Sequence, residues 1–225
     1  MIFSNLKTGS NFDDTESRTV VGTNGVGSTL TNIFSKEFKI NTCDGKKKFE
    51  QAFSNNMASK TKPKITNHKT GYTKISWLTD FTRFGMKSID DQSVQMIKKR
   101  LYDIAACNLK LKITFNDEII TFRSFKDYAK LYTQEEIFFE KSKNWGIGIG
   151  HSASGFKAIS FDNSVETKDG GTHVNYISWQ VINFLREKIK KKHKIDVKPS
   201  DLKQHLFLFI ECTVINPAFS SQTKE

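Results

Sequence analysis

The sequence predicts a mixed α+β fold, and three observations support that prediction. Helix-like and strand-like hydrophobic patterns alternate along the chain. A long amphipathic pattern at residues 172–192 precedes a nearly continuous apolar run at residues 206–215, which is typical of a central strand. The chain has 225 residues, of which 37% are hydrophobic, and this is enough for one large domain or two small ones with a real core.

The first half is predicted to contain two helices and three strands. Residues 1–18 are polar and loop-like, with Ser10-Asn11 and Asp13-Asp14 as turn formers. The remaining elements are, in order, a helix with Leu30, Ile33 and Phe34 on one face, strands at residues 38–42, 46–53 and 72–77 with a loop at 60–69, and a helix capped by Ser88 or Asp90 with Val94, Ile97, Leu101 and Ile104 on one face.

The second half is predicted to be richer in strands. Its elements are, in order, a half-buried strand at 109–115, a hairpin turn at Asn116-Asp117 leading to 119–122, a short helix at 125–132, strands at 145–150 and 156–165, a helix at 172–192 with Val174, Ile177, Val181, Leu185 and Ile189 inward, a short helix opened by Pro199, and a strand at 206–215 ended by Asn216-Pro217.

The composition excludes several classes of protein. No apolar run reaches the roughly 20 residues that cross a bilayer, and the first residues lack the pattern of a signal peptide. Cys43, Cys107 and Cys212 are scattered and odd in number, which argues against a disulfide framework and a Cys-x-x-Cys zinc site. The five histidines are scattered too. We expect neither secretion, membrane insertion nor a transition-metal site.

The charge indicates a polyanionic partner. The formal net charge is +11, from 35 basic and 24 acidic residues. The stretch from Arg186 to Lys198 carries seven basic residues against Glu187 and Asp196, a net +5. It is either a solvated helix end or a surface that contacts phosphates without reading DNA sequence. No aromatic residue interleaves there, so base stacking is not implied.

The first glycine cluster, Gly22-x-x-Gly25-x-Gly27, runs directly into a helix pattern. Such a segment is either a structural turn or a loop whose backbone N–H groups approach a phosphate closely. It is not a Walker loop, because no Gly-Lys-Ser/Thr follows it, and it lacks the dinucleotide spacing.

The second glycine cluster, Gly148-x-Gly150-x-x-Ala153, does match the dinucleotide spelling. A strand pattern follows Ala153 where the dinucleotide motif requires a helix. We therefore predict that residues 146–150 form a strand with an open face.

Six segments, in the same order along the chain, resemble the type IIA DNA topoisomerases of eukaryotes, large DNA viruses and T-even-like phages. They are Ser10 to Asp14 and Gly22 to Ser35, which resemble the ATP lid, Asp80 to Met86, Arg100 to Ala105, Ser164 to Val174, which resembles the transducer signature, and Asn216 to Glu225, which resembles the Gln-Thr-Lys loop.

The resemblance implies a specific fold. Residues 1–123 would be the C-terminal half of a split-sheet, GHKL-type ATPase domain, with the ATP lid at residues 10–29. Residues 124–225 would be a transducer domain with a βαβ crossover, truncated at its C-terminus. The family's Mg²⁺-binding asparagine and water-activating glutamate would precede Met1, so the isolated piece is expected to be inactive.

The resemblance also assigns site residues. ATP would be the cofactor, with its Mg²⁺ held by residues outside this chain and no metal ligand within it. Lys224 would be the catalytic residue on the γ-phosphate. The ATP-binding set would be Ser10, Asn11, Gly22, Thr23, Asn24, Gly25, Val26, Gly27, Ser28, Thr29, Gln222, Thr223 and Lys224. Where eukaryotic relatives carry a basic loop facing DNA, this chain has Lys190, Lys191, Lys192 and Lys194.

The function implied is part of an ATP-dependent type II DNA topoisomerase, an isomerase that passes one duplex through a transient double-strand break in another. Its partners would be DNA and either a second copy of the full-length enzyme or a companion topoisomerase chain, with no membrane. The expected location is intracellular, in the nucleus or a virus- or phage-infected cell. The alternative is a non-catalytic relic or split-gene piece that only binds DNA or a companion chain.

Overall fold

The computed structural model describes residues 2–13 and 15–224 and divides the chain into two compact units. Unit 1 comprises the residues up to Thr15 together with Gly22–Ser93, and unit 2 comprises Glu16–Val21 and the chain from Val94 onward. These units divide the chain elsewhere than at residue 123, and the predicted domain boundary there stays a prediction. Asp14 and Glu225, which carry part of the resemblance, lie outside the described residues.

Unit 1 is built on an antiparallel sheet. Its elements are α1 (Gly27–Ile33), β1 (Ser35–Cys43), β2 (Lys47–Ser54), β3 (Ser59–Lys60), β4 (Lys64–Asn67), β5 (Tyr72–Thr79) and a 3₁₀ turn (Phe81–Phe84). The strand order is β3-β2-β1-β5, with β4 also pairing with β2. One face carries the core, where Phe38, Ile40 and Phe53 are buried.

Two predictions for unit 1 were wrong in detail. Helix α1 buries Thr29 and Asn32, not Leu30, because these polar side chains donate to backbone carbonyls near the N-terminus, including that of Phe3. The predicted loop at 60–69 contains β3 and β4. Lysine-rich segments of this kind are common at sheet edges, where charge discourages further pairing.

Unit 2 contains a second sheet and most of the helices. Its elements are α2 (Asp91–Cys107, whose first residues belong to unit 1), β6 (Ile113–Phe115), β7 (Glu118–Ile120), α3 (Phe125–Ala129), β8 (Phe138–Lys141), β9 (Trp145–His151), β10 (Lys157–Asp162), β11 (Val165–Glu166), α4 (Thr172–His193), α5 (Pro199–Lys203) and β12 (Leu206–Cys212).

The second sheet has the order β11-β10-β12-β9-β8. Strands β10 and β12 are parallel, and α4 and α5 connect them, so the βαβ crossover is present. Strand β12 lies in the middle, with Leu206 to Ile210 all buried, as the apolar run predicted. Helix α4 covers this strand with Val174, Ile177 and Ile182.

Several strand predictions in unit 2 were too long, including the one at 206–215, since β12 ends at Cys212. Residues 109–112 form a turn after α2, in which the Leu111 N–H donates to the Asn108 carbonyl (2.9 Å), and only Ile113–Phe115 is a strand. The strand predicted at 156–165 is a hairpin. Its turn residues Asn163 and Ser164 both have positive φ, which matches a two-residue hairpin turn.

The glycine strand is confirmed as β9, but its open face is not. A Cβ on Gly148 would lie 3.1 Å from both Ile137 Cγ2 and Phe209 Cβ, and one on Gly146 would lie 2.5 Å from Glu211 Oε1. The glycines let neighbouring side chains pack directly on the strand backbone. Among the described residues, no helix is long and apolar enough to span a membrane.

Candidate phosphate-binding and DNA-binding sites

The glycine segment folds back on the preceding polar residues. The Asn11 side chain donates to the Gly22 carbonyl (2.8 Å), and the Thr8 N–H donates to the Gly25 carbonyl (3.3 Å). Gly25 has φ +59°, and a Cβ there would collide with the Thr8 backbone. Gly25 is therefore required by the turn itself.

The other two glycines of the segment face open space. A Cβ on Gly22 or Gly27 would meet no atom within 4 Å, and neither glycine has a positive φ. Helix α1 begins at Gly27, and no side chain caps it. The backbone from Gly22 to the first turn of α1 is thus accessible without any steric need for glycine at these two positions.

Several predicted ATP-binding side chains are already engaged in unit 1. The Ser28 hydroxyl donates to the Ile2 carbonyl (2.9 Å), and the buried Thr29 hydroxyl donates to the Asn5 carbonyl (3.0 Å). These two residues can offer a ligand their backbone but not their hydroxyls. Ser10, Thr23, Asn24 and Val26 also line or precede the segment, and Ser10 is exposed.

Lys224 belongs to unit 2, and its ammonium donates to the Val21 carbonyl (2.5 Å). Burial, with a contribution from nearby Arg18, lowers the pKa of Lys224 below its usual value. No carboxylate pairs with Lys224 within the part of the chain that the structure describes. Val21 directly precedes Gly22, so this lysine is bonded to the residue that leads into the glycine segment.

Residues 16–21, which we call the lead segment, are held in unit 2 by two asparagines. The Asn163 amide donates to the carbonyls of Thr19 and Val214 (both 2.9 Å) and accepts from the Val214 N–H (2.8 Å). The Asn216 side chain accepts from the Arg18 N–H (2.9 Å), and its own N–H donates to the Arg18 carbonyl (2.8 Å). With Lys224, these residues fix the lead segment at three points.

Thr223 and Lys224 line a cavity of about 580 Å³ in unit 2, which we call the Lys224 cavity. Lys99 pairs there with both Asp103 (3.0 Å) and Glu166, so one cation is shared between the cavity's two carboxylates. The remaining charged lining residues are Arg100, Lys168 and Lys224. With four basic and two acidic lining residues the cavity carries a net +2, which favours an anion.

A buried polar network supports this cavity. Asp103 is buried and accepts from Lys99 and from the Tyr128 hydroxyl (2.7 Å), which also bonds the Tyr132 hydroxyl (2.6 Å). Burial, together with the bond to Asp103, raises the pKa of Tyr128, so this phenol stays protonated and serves as a donor. The network fixes the position of α2 in unit 2.

The basic end of α4 is exposed and points its charge at solvent. Lys190, Lys191 and Lys192 lie in the last turn, and Lys194 ends the helix with φ +58°. Arg186 binds Asp196 through two bonds (2.8 and 3.0 Å), which lower the pKa of Asp196 and neutralise the nearby acid. The four lysines have no ion pair within the described ranges, so their charge is available to a polyanion.

A sequence profile of the DNA gyrase B family matches residues 111–225, half of the chain. The chain belongs to the type II DNA topoisomerase family. It is 44% identical over 238 residues to the probable DNA topoisomerase 2 of Dictyostelium discoideum and 40% identical over 238 residues to the DNA topoisomerase 2 of Acanthamoeba polyphaga mimivirus. All of this chain is covered, but only 16% and 19% of those proteins.

Solved topoisomerase structures share the fold over the whole chain. The ATPase region of Saccharomyces cerevisiae topoisomerase II matches with a TM-score of 0.91 at 41% identity. The ATPase and transducer domains of the Balamuthia mandrillaris enzyme match with a TM-score of 0.93 at 38% identity. In each case this chain covers 60% of the solved chain. The α+β fold of this topoisomerase segment is therefore that of the ATPase and transducer region.

The topoisomerase resemblance at the sequence level did not reveal the lead segment or the Lys224 cavity. Asn163 fell inside the strand predicted at 156–165, and Asn216 was assigned only to the end of a strand and the start of the Gln-Thr-Lys segment, because their partners lie 144 and 198 residues away. Lys99 and Arg100 fell inside a predicted helix, and Arg100 also opened a segment of the resemblance, but neither was assigned a role. Among the described residues, no three His, Cys, Asp or Glu side chains meet as a metal site.

Proposed function

We propose that this chain is the part of an ATP-dependent type II DNA topoisomerase that binds the ATP phosphates and transmits their presence to the rest of the enzyme. The enzyme passes one duplex through a transient break in another. Membership of the topoisomerase family and the ATPase-region fold support the proposal. The single observation that carries it is the bond from Lys224 to Val21, the residue before the glycine segment.

The glycine segment is proposed as the phosphate-binding lid, at residues 10–29. The open space at Gly22 and Gly27 supports this role, because a phosphate can approach backbone N–H groups that no Cβ shields. Asn11 fixes the Gly22 carbonyl, so it acts on the loop conformation. Thr23, Asn24, Val26, Ser28 and Thr29 would contribute backbone groups.

Lys224 is proposed as the residue that stabilises charge on the γ-phosphate. Its ammonium has a lowered pKa and no carboxylate partner among the described residues, so binding to an anion is more favourable than its contact with a neutral carbonyl. Gln222 and Thr223 precede it on the same loop. A fixed cation at this position lowers the barrier by stabilising charge in the transition state.

The remaining assignments are proposed on the family relation. Mg²⁺ would be held by residues outside this chain. Residues 1–123 and 124–225 would be the second half of the GHKL-type ATPase domain and the transducer. Lys190, Lys191, Lys192 and Lys194 would contact DNA phosphates, and the protein would act as a dimer or with a companion chain.

A chimaera tests the proposal. The yeast DNA topoisomerase 2 is 39% identical to this chain over 250 residues, and the matching segment can be replaced by residues 1–225. We expect the chimaera to hydrolyse ATP and relax supercoiled DNA. Lys224→Ala in the chimaera should reduce ATP turnover by roughly 10²-fold, the effect of losing one transition-state donor, while ADP affinity stays unchanged.

Matched variants make the result specific. Lys143→Ala removes an exposed lysine elsewhere in unit 2 and should leave turnover unchanged. Normal ATP turnover in a folded Lys224→Ala chimaera would show that Lys224 is only a surface lysine. An equal loss of ADP and ATP affinity would show that it holds the loop and does not recognise the γ-phosphate.

A further inference from the structure

Unit 1 carries a second basic region, in addition to the basic helix end of unit 2. Between residues 36 and 74 there are ten lysines and three carboxylates, a net +7, compared with +5 for residues 186–198. These residues form the sheet β1 to β5. The sequence prediction assigned DNA contact only to the helix end, because the lysines of unit 1 are dispersed along the chain.

The sheet brings part of this charge together on one face. The core residues Phe38, Ile40 and Phe53 point to the opposite face. Strand pairing aligns Lys64, Glu50, Asn41 and Lys74 in one row across β4, β2, β1 and β5. The next row aligns Ala52, Lys39 and Ser76.

A groove of about 500 Å³ runs over these rows, and we call it the lysine groove. Its floor is made of short side chains, including Ala52 and Ser76, and its charged lining residues are Lys39, Lys62, Lys64 and Lys74, together with Glu50. All four lysines are exposed. Small residues at the floor leave the long lysine side chains free to reach a ligand lying across the strands.

The one acidic group in the lining is already neutralised. Glu50 Oε1 accepts from Lys48 (2.9 Å) and from the Asn41 amide (3.0 Å). Lys62, Lys64 and Lys74 have no ion pair within residues 2–13 and 15–224, and Lys39 pairs only with exposed Glu37 (3.0 Å). The groove therefore presents a positive surface whose charges are not cancelled by neighbouring acids.

We propose that the lysine groove is a second surface for the phosphodiester backbone of duplex DNA. Lys64 and Lys74 stand on strands separated by three interstrand spacings, about 14 Å. This distance is close to the roughly 12 Å width of the major groove of DNA, so the two lysines can reach phosphates of opposite strands. The surface is independent of the ATP site proposed above.

The side chains of the groove favour a duplex over a single strand. No aromatic residue lines it, so it offers no platform for stacking unpaired bases. It offers Lys, Asn, Gln, Ser and Thr groups, which suit phosphate contacts without sequence readout.

Binding of a mixed-sequence fluorescent duplex to the 225-residue chain, measured by anisotropy over a range of KCl concentrations, tests the proposal. The groove variant replaces Lys39, Lys62, Lys64 and Lys74 with Ala. The slope of log affinity against log salt should decrease in magnitude by roughly 3 to 4, about one for each phosphate that a lysine no longer neutralises. A single-stranded oligonucleotide of the same sequence should bind more weakly, and its slope should change less.

A charge-matched control uses four exposed lysines of unit 1 outside the groove, Lys46, Lys60, Lys69 and Lys87, replaced with Ala. We expect a clearly smaller change in slope. An equal change in both variants would overturn the proposal, because only net charge would then matter. Stronger dependence of single-stranded binding on the groove would also overturn it.

A second pair of variants separates loss of charge from loss of folding. Replacing the four groove lysines with Arg keeps the charge and should keep the wild-type slope. In a chain with Lys190, Lys191, Lys192 and Lys194 replaced by Ala, DNA binding should still depend on salt, because the lysine groove still contacts phosphates. The lysine groove is not a DNA-binding surface if the slope of log affinity against log salt decreases in the Arg variant as it does in the Ala variant. The same conclusion follows if the helix-end variant does not bind DNA at all.

Discussion

The two glycine clusters look similar in sequence and differ in what surrounds them. In the segment at residues 22–27, a Cβ on Gly22 or Gly27 would enter open space, whereas in β9 a Cβ on Gly146 would overlap the Glu211 side chain and one on Gly148 would lie 3.1 Å from Ile137 and Phe209. The first pair is not needed for packing, and the second is. The glycines of β9 are explained by the close approach of the chain to itself, whereas Gly22 and Gly27 have no such packing role, and this difference supports the proposal that a phosphate approaches there.

The largest effect is expected from Gly27→Ala in the yeast chimaera. The substitution adds a Cβ where a phosphate is proposed to approach, so affinity for a non-hydrolysable ATP analogue should fall about 10- to 100-fold, equivalent to one hydrogen bond to a charged group. The unfolding midpoint should stay constant or rise, since Ala is favoured over Gly in a helix by up to about 1 kcal/mol.

Gly25→Ala is the matched comparison, because it should lower both stability and nucleotide affinity. Its positive φ and the nearby Thr8 backbone make any Cβ unfavourable. If Gly27→Ala left nucleotide affinity unchanged, the two glycine clusters would no longer differ in function.

The second prediction concerns the filled cluster. Gly148→Val should lower the free energy of unfolding by about 1–3 kcal/mol, because the new side chain overpacks Ile137 and Phe209. Gly150→Ala meets only ordinary contacts at 3.7 Å or more and should change stability far less. Urea unfolding of the 225-residue chain measures both. Equal stability of the two variants would contradict the packing argument.

A third prediction uses the glycine pair before α4. Gly170 and Gly171 both have positive φ, but a Cβ on Gly171 would lie 2.9 Å from His173 Cε1, while one on Gly170 would meet nothing within 4 Å. Gly171, at φ +145° and ψ −178°, lies in a region open essentially to glycine alone, so its Ala variant adds greater backbone strain to the contact with His173. Gly171→Ala should be less stable than Gly170→Ala by roughly 1–2 kcal/mol in urea unfolding.

The smallest effect is a pH dependence centred on the same histidine. His173 contacts the buried Thr167 hydroxyl (3.1 Å), and burial lowers the pKa of His173. Below about pH 6.5, His173 binds a proton in the unfolded chain but not in the folded chain. The free energy of unfolding therefore decreases as the pH is lowered, until the pH reaches the lower pKa that His173 has in the folded chain.

Thermal unfolding between pH 7.5 and 5.5 measures this loss. His173→Gln should reduce the decrease in unfolding midpoint, and the exposed-residue control His193→Gln should not. If His193→Gln reduced the decrease in unfolding midpoint as much as His173→Gln, the effect would be due to net charge.

Local patterns predicted those elements whose residues are neighbours in sequence. Asn116 and Asp117 indicated the β6–β7 hairpin, because both take positive φ in a two-residue turn. The same chemistry at Asn163 and Ser164 was missed, since the apolar pattern on both sides continued without a break. Helix α4 was predicted over nearly its full length because its 3.6-residue spacing extends over 22 residues.

The candidate sites needed information that spacing does not hold. Lys39 and Lys74 share one face only because β1 pairs with β5 in a defined register. The contact of Lys224 with Val21 joins residues 203 positions apart. The family resemblance suggested the role proposed for Lys224, but neither resemblance nor pattern indicated that Asn163 and Asn216 hold the lead segment.

The lead segment also constrains the order in which the chain folds during its synthesis. Its bonds to Asn163, Asn216 and Lys224 span 144 to 203 residues, so this part of unit 2 closes only after residues 163–224 have been synthesised. At roughly 5–20 residues per second, the early residues wait about 10–40 s on the ribosome for their partners. Residues 22–93 belong to unit 1 and lie in sequence between the two parts of unit 2. They form mostly local pairs and can fold during that interval.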